Sequence, residues 1–273
     1  MRQDERAPFV TALEEARVRA YPPGQFVGQE SFMLADEIIA LGLRAGIGPN
    51  TQVLDLCCGI GGPGRHLAAE LGCDYLGLDY SASAIVIARQ RARGLPCRFD
   101  IAHVPPLPSV RADVVLLLEA MLAFEAKATL VQQISRVLPA GGRFALTLEA
   151  GLPLTQSERD AIPDADTVWP TPLPDMIQLL GQAGLRVRWF QDCTDSHLVV
   201  AESLLRAFAA AGPAITAHVG RRALDDLLAA HRLWSAWLGS RRIRKFALVA
   251  EKIAENIDPM ARSEGRNRRR FAM

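Results

Sequence analysis

Short apolar runs recur along the chain, and segments with helical spacing separate them. Residues 52–57 (QVLDLC), 75–79 (YLGLD), 97–102 (CRFDIA), 112–119 (ADVVLLLE) and 143–149 (RFALTLE) are rich in aliphatic and branched side chains. Runs of this kind suit strands buried on both faces. Between them, 64–71, 82–93 and 126–138 carry helical patterns, with Ser81 as an N-cap and Gly141-Gly142 closing the last crossover. Alternating strands and helices at this spacing predict a parallel, doubly wound α/β sheet.

The character changes after Glu149. Pro153, Pro163, Pro170 and Pro172 exclude a helix interior over 151–172, which reads as a loop or lid. A helix is expected over 173–183, stopped near Gly184, then a strand over 186–193 (RVRWFQDC). Residues 195–238 are largely helical with a break at Gly212-Pro213, and 244–253 (RKFALVAEKI) is expected to close the sheet as an edge strand. Two helices, near 8–19 and 30–45, precede the first strand and are joined by YPPGQFVGQ. The expected organisation is an N-terminal helical cap over 1–46, and a core over 47–253 with covering segments 151–172 and 195–240. A basic tail over 254–273 follows. The fold class is α/β, a mostly parallel seven-stranded Rossmann-like sheet with a helical insertion before the last strand.

Composition narrows the function. Lys plus Arg is 31 and Asp plus Glu is 30, a formal charge of +1. No field suited to a polyanion exists, so neither nucleic acid nor an anionic membrane is an expected partner. No apolar stretch reaches the length of a membrane span, and no secretory leader stands out in MRQDERAPFVTALEEARVRA. The five cysteines are odd in number and lack metal-ligand spacing, which points to reduced thiols, a cytoplasmic setting and no metal.

The chemistry concentrates where the first strand meets the first crossover helix, at Val53-Leu54-Asp55-Leu56-Cys57-Cys58-Gly59-Ile60-Gly61-Gly62-Pro63-Gly64. Gly59, Gly61 and Gly64 fit G-x-G-x-x-G, and Asp79 ends the second strand, as in a dinucleotide fingerprint. Asp55 separates the readings, because an acid beside the loop repels a pyrophosphate but suits a ligand carrying an ammonium and a sulfonium. Asp79 can accept from a ribose diol, and Asp100, ending the third strand, from an adenine amine. A nicotinamide-dependent oxidoreductase and a non-catalytic protein that binds the nucleoside remain as alternatives at this point.

These residues resemble the class I S-adenosylmethionine-dependent methyltransferases. VLDLCCGIGGPGRHLA is similar to their first motif, YLGLDYSASAI to the second, CRFDIA to the third and LPAGGRFALT to the entry of strand five. Cys57 stands where the family carries its first loop glycine. The resemblance implies S-adenosylmethionine as cofactor and S-adenosylhomocysteine as product. It places the amides near Cys58, Gly59 and Gly61 against the methionine end, Asp55 at the ammonium and Asp79 at the ribose. Tyr80, Asp100 and Ile101 would surround the adenine, with Glu119 where cofactor and acceptor meet.

The segments outside the core point to a covered pocket and therefore a small acceptor with an apolar or aromatic body. Tyr21, Phe26 and Gln29 in the linker resemble the N-terminal gate of small-molecule methyltransferases. Asp192-Cys193-Thr194-Asp195-Ser196-His197 is similar to the pocket segment of the sarcosine/dimethylglycine, tocopherol and sugar methyltransferase group. Trp169 and Glu149 join the expected acceptor site. His197 is the candidate base, because imidazole titrates near neutral pH, with Glu119 and Glu149 as alternatives. Pairing of the N-terminal helices into a homodimer is a further expectation.

Overall fold

The computed structural model describes residues 7–160, 162 and 165–254. The basic tail expected over 254–273 lies, from residue 255 on, outside the described residues. The chain opens with α1 (Ala7–Ala20) and α2 (Ala35–Arg44), then alternates β1 (Gln52–Leu56), α3 (Gly62–Leu71), β2 (Asp74–Asp79), α4 (Ala82–Arg91), β3 (Cys97–Ile101) and β4 (Val114–Leu117). It continues with α5 (Lys127–Val137), β5 (Arg143–Ala150), the short α6 (Gln156–Asp160), α7 (Leu173–Gln182) and β6 (Leu185–Asp192). The last elements are α8 (Thr194–Ala210), α9 (Gly212–Val219), α10 (Arg221–Gly239) and β7 (Arg244–Lys252).

The strands form one seven-stranded sheet in the order β3-β2-β1-β4-β5-β7-β6. Strands β1 to β5 run parallel, whereas β7 is antiparallel to both β5 and β6. The expectation of β7 as an edge strand is therefore corrected: it lies inside the sheet and β6 takes the edge. The physical reason is legible afterwards in the two sequences. Phe246–Ala250 is buried without interruption, as an interior strand requires, while β6 exposes Arg186, Arg188 and Gln191.

Two apolar clusters flank the sheet. One gathers Leu56, Leu117, Ile134, Phe144 and Met176, and the other Ile38, Leu41, Val53, Leu67 and Tyr75. A third holds the helices together above the strand ends: Ala16 and Tyr21 pack with Phe32, Leu204, Phe208 and Leu228. In this layer α1 packs on α8 and α9, and α10 packs on the same two helices to complete the cap, while α2 packs beside α3 on the sheet. The helix expected from residue 30 begins only at Ala35, because Gln29 donates to the carbonyls of Gln25 (2.8 Å) and Met33 (2.9 Å) and stitches the preceding turn. Among the described residues no helix is long and apolar enough to cross a membrane.

The parallel strands all present their carboxyl ends to the cap. Because β7 runs the other way, its amino end arrives at the same rim, and Lys245 stands directly across the ladder from Glu149.

Candidate active site

The loop after β1 leaves the strand through Cys57, whose φ is 61°, a left-handed conformation that the glycine of the common motif adopts without a Cβ penalty. The helix that follows packs close on β2: a Cβ on Gly64 would fall 1.9 Å from Cζ of Tyr75. Tyr75 donates its hydroxyl to Asp55, and both are buried. Burial drives the Asp55 carboxyl up to about 7, against the hydrogen bond from Tyr75, and Asp79 adds to the rise. The acid that sets this loop apart from a pyrophosphate cradle thus sits at the edge of ionisation.

Asp79 accepts from the amides of Gly59 and Ser81, each at 2.8 Å. The Cys58 amide goes to the Leu78 carbonyl at 3.0 Å and the Gly61 amide to the Cys58 carbonyl at 3.0 Å. The amides of Cys58, Gly59 and Gly61 are therefore engaged within the protein, and the ligand-facing groups here are carboxyls and bare Cα space. A cavity of about 200 Å³ opens on Asp55, Gly59, Asp79 and Glu119, with Gly28–Ser31 of the linker as its far wall. Tyr80 is exposed beside His103, with ring centres 5.9 Å apart. Ile101 is exposed next to Asp79 in the ladder, and Asp100 gives its carboxylate to Arg89 at 2.9 Å.

A second cavity of about 220 Å³ lies under the cap, walled by Tyr21, Phe32, His231 and Trp234 and floored by Glu119, Glu149 and Lys245. Lys245 Nζ is 2.6 Å from Glu119 Oε2 and 2.6 Å from Glu149 Oε1. It also lies 5.6 Å from the ring centre of Phe32 and 5.3 Å from that of Trp234, within cation–π range. Burial disfavours the charge on Lys245, but the two carboxylates outweigh it and raise its pKa. Burial likewise works against the Glu119 carboxylate, and the Lys245 and His197 charges reverse the effect and hold it below the usual range. The backbone of Glu119 is left-handed, φ 56°, with its amide donated to Thr147 Oγ1 at 2.5 Å. Among the described residues, Glu119 Oε1 and Glu149 Oε2 are buried without a partner.

The two cavities share Glu30, Ser31 and Glu119. Of the expected acceptor residues, Tyr21 and Glu149 line the capped cavity, and the Tyr21 hydroxyl donates to the Ser31 carbonyl. Phe26 packs on Tyr21, ring centres 5.4 Å apart, and lines a smaller neighbouring space with Arg17 and Arg91. Gln29 lines the cavity at the glycine loop instead, its amide engaged by the linker. Trp169 lines neither cavity; its ring stacks under the Arg159 guanidinium at 4.2 Å and its carbonyl accepts from Lys127 at 2.7 Å.

His197 also lines neither cavity. It is buried behind Phe32, with Nε2 3.2 Å from Glu37 Oε2. Glu37, Cys193 and His197 offer ligand atoms within 4.8 Å of one another, a grouping that sequence spacing did not reveal. Both Glu37 oxygens are already bonded, Oε1 from Ser196 at 2.6 Å and Oε2 from the Leu34 amide at 2.9 Å. Sequence reasoning missed Lys245, Phe32 and His231. The one available signal was a lysine heading the otherwise apolar run of β7.

Residues 53–142 match the family model described as a methyltransferase domain. Over those residues the chain is similar to a methyltransferase domain. It is 31% identical over 118 residues to phosphoethanolamine N-methyltransferase 3 of Arabidopsis thaliana, covering 42% of this chain and 24% of that protein. The chain thus spans well under half the length of the curated relatives it matches. Among solved structures, a cyclopropane synthase from Mycobacterium tuberculosis superposes with a TM-score of 0.75 at 16% identity, covering 90% of this chain and 94% of that one. Phosphoethanolamine N-methyltransferase 2 of Haemonchus contortus, solved with S-adenosylhomocysteine, gives 0.74 at 16% identity over 92% of this chain and 58% of that one. At this identity these likenesses establish the fold alone.

Proposed function

We propose that this protein transfers the methyl group of S-adenosylmethionine to a small molecule held in the capped cavity. The observation that carries the reading is the junction at Glu30, Ser31 and Glu119, where a cavity fitted to the cofactor meets one fitted to an acceptor. The first cavity suits the cofactor chemically. Its carboxyls, Asp55 and Asp79, match an ammonium and a ribose diol. A Cβ on Gly59 would meet nothing nearer than Glu30 Oε2 at 3.9 Å and so would project into the cradle. Tyr80, Asp100 and Ile101 stand where the adenine would be framed.

The cofactor supplies a methyl carbon made electrophilic by its sulfonium. The chain's part is to hold the acceptor against the Glu119 junction and keep water out, and such orientation is worth on the order of 7–11 kcal/mol. Where the acceptor must lose a proton, Glu119 and Glu149 are the bases that touch the cavity. His197 acts from behind, setting the position of Glu37 and Phe32. Calorimetric titration with S-adenosylhomocysteine, S-adenosylmethionine and NAD tests the reading. Binding of the first two at roughly micromolar strength with NAD silent supports it; NAD binding alone would overturn it.

A further inference from the structure

The floor of the capped cavity is not electrically neutral. Glu119 and Glu149 bring two negative charges and Lys245 one positive, all three nearly out of contact with solvent at 8%, 2% and 2% exposure. The neighbouring pairs, Arg17 with Glu30 at 2.8 Å and His197 with Glu37 at 3.2 Å, each balance themselves. The cofactor cavity holds acids of its own in Asp55 and Asp79, so the cofactor's positive charge has partners there. One negative charge of the capped cavity therefore stays unmatched.

Hydrogen bonding points the same way. Lys245 takes one oxygen of each glutamate, and the other two, Glu119 Oε1 and Glu149 Oε2, have no protein donor. A buried carboxylate oxygen without a donor is costly, and an ionised acceptor of this kind binds a cationic donor more strongly than a neutral one. The walls are aromatic. Phe32 and Trp234 already hold the Lys245 ammonium over their rings, 5.6 and 5.3 Å from the ring centres, so positive charge sits against their faces.

We infer that the capped cavity recognises a protonated amine on an apolar or aromatic body, its N–H groups donated to Glu119 Oε1 and Glu149 Oε2. Lys245 is a positioning residue: it clamps one oxygen of each carboxylate and leaves the other two without a donor at the cavity floor. A neutral alcohol satisfies the oxygens but leaves the charge, and an anionic acceptor is repelled. This inference rests on the proposed function only in treating the cavity as the acceptor's.

The test uses three probes with the same ring and chain length: 2-phenylethylamine, 2-phenylethanol and phenylacetate. The protein is first titrated with S-adenosylhomocysteine, then, saturated with it, with each probe by calorimetry. The amine should bind about tenfold or more tighter than the alcohol, with phenylacetate silent. Glu149→Gln should lose most of the amine preference while still binding S-adenosylhomocysteine, which also shows that the variant is folded. Equal binding of amine and alcohol, stronger binding of phenylacetate, or no binding of any probe overturns the inference. Failure of the first titration overturns the proposed function instead, so the two failures are distinguishable.

Discussion

Tyr75 on β2 donates its hydroxyl to the carboxyl of Asp55 on β1, and the pair stands buried at the base of the glycine loop. The Tyr75 hydroxyl stabilises this carboxylate, while burial and Asp79 oppose its ionisation. The folded chain holds the proton up to about pH 7, whereas an unfolded aspartate releases it near 3.8. The folded state thus binds more protons between these values, and the contribution of Asp55 to stability falls as pH rises from about 4 to about 7.

Asp55→Asn should therefore stabilise the free protein at neutral pH, by about 1–2 kcal/mol, since the amide oxygen still accepts from Tyr75. The same change should weaken S-adenosylhomocysteine binding, because the ligand's ammonium loses its counter-charge. Thermal melts with and without ligand measure both effects, and a variant that binds as tightly as wild type would remove Asp55 from the cofactor site.

Gly64→Ala places a methyl carbon 1.9 Å from the Tyr75 ring, with the helix backbone unable to retreat from the sheet. Tyr75 must leave Asp55, so the loss should reach about 2–3 kcal/mol and cofactor binding should fall with it. The denaturation midpoint and the calorimetric affinity should move together. Loss of stability with unchanged affinity would separate Tyr75 from the binding loop.

Lys245→Met and Glu149→Gln should differ sharply. Removing the lysine leaves two buried carboxylates face to face, a loss on the order of 3–5 kcal/mol. Removing one carboxylate leaves Lys245 paired with Glu119 at 2.6 Å and should cost much less. Denaturant titration of both variants checks the order, and the reverse order would mean that the carboxylates, not the lysine, hold the cluster together.

His197→Ala is expected to act on stability more than on the cofactor. The imidazole bonds Glu37, which with Ser196 and the Leu34 amide ties the start of α2 to the start of α8. A loss of about 1–2 kcal/mol with S-adenosylhomocysteine affinity within about twofold of wild type is the expected outcome. A large drop in affinity would place His197 in the site itself.

Lys127 is buried and donates to the carbonyls of Phe124 and Trp169, and burial, partly offset by Glu149, pulls its pKa down to about 8. It ties the covering segment after β5 to α5. Lys127→Met should make the peptide bonds near Trp169 more sensitive to limited proteolysis, and an unchanged cleavage pattern would show that other contacts hold the segment.

The strands and their chemistry could be read before any tertiary contact was known, because a buried parallel strand needs a continuous apolar run and the ligand groups follow directly at its end. Asp55, Asp79 and Glu119 were singled out in that way, each by its place at or near the end of such a run. His197 and Trp169 were misjudged as cavity residues for the opposite reason. Their positions in the chain place them on covering segments, but which way a helical side chain faces depends on what packs against it. Lys245 escaped notice because its partners lie 96 and 126 residues away.

The order of chemical groups along the chain was thus set locally, by periodicity and by the loop glycines, and it already pointed to the methyltransferase domain. Only the fold decided that β7 turns back between β5 and β6. Running antiparallel, it delivers its first residues to the rim where the parallel strands end, and so sets Lys245 opposite Glu149 beneath the cap. Strand direction and sheet order are non-local quantities, fixed by which faces must be buried together, and the charge on the floor of the capped cavity follows from them.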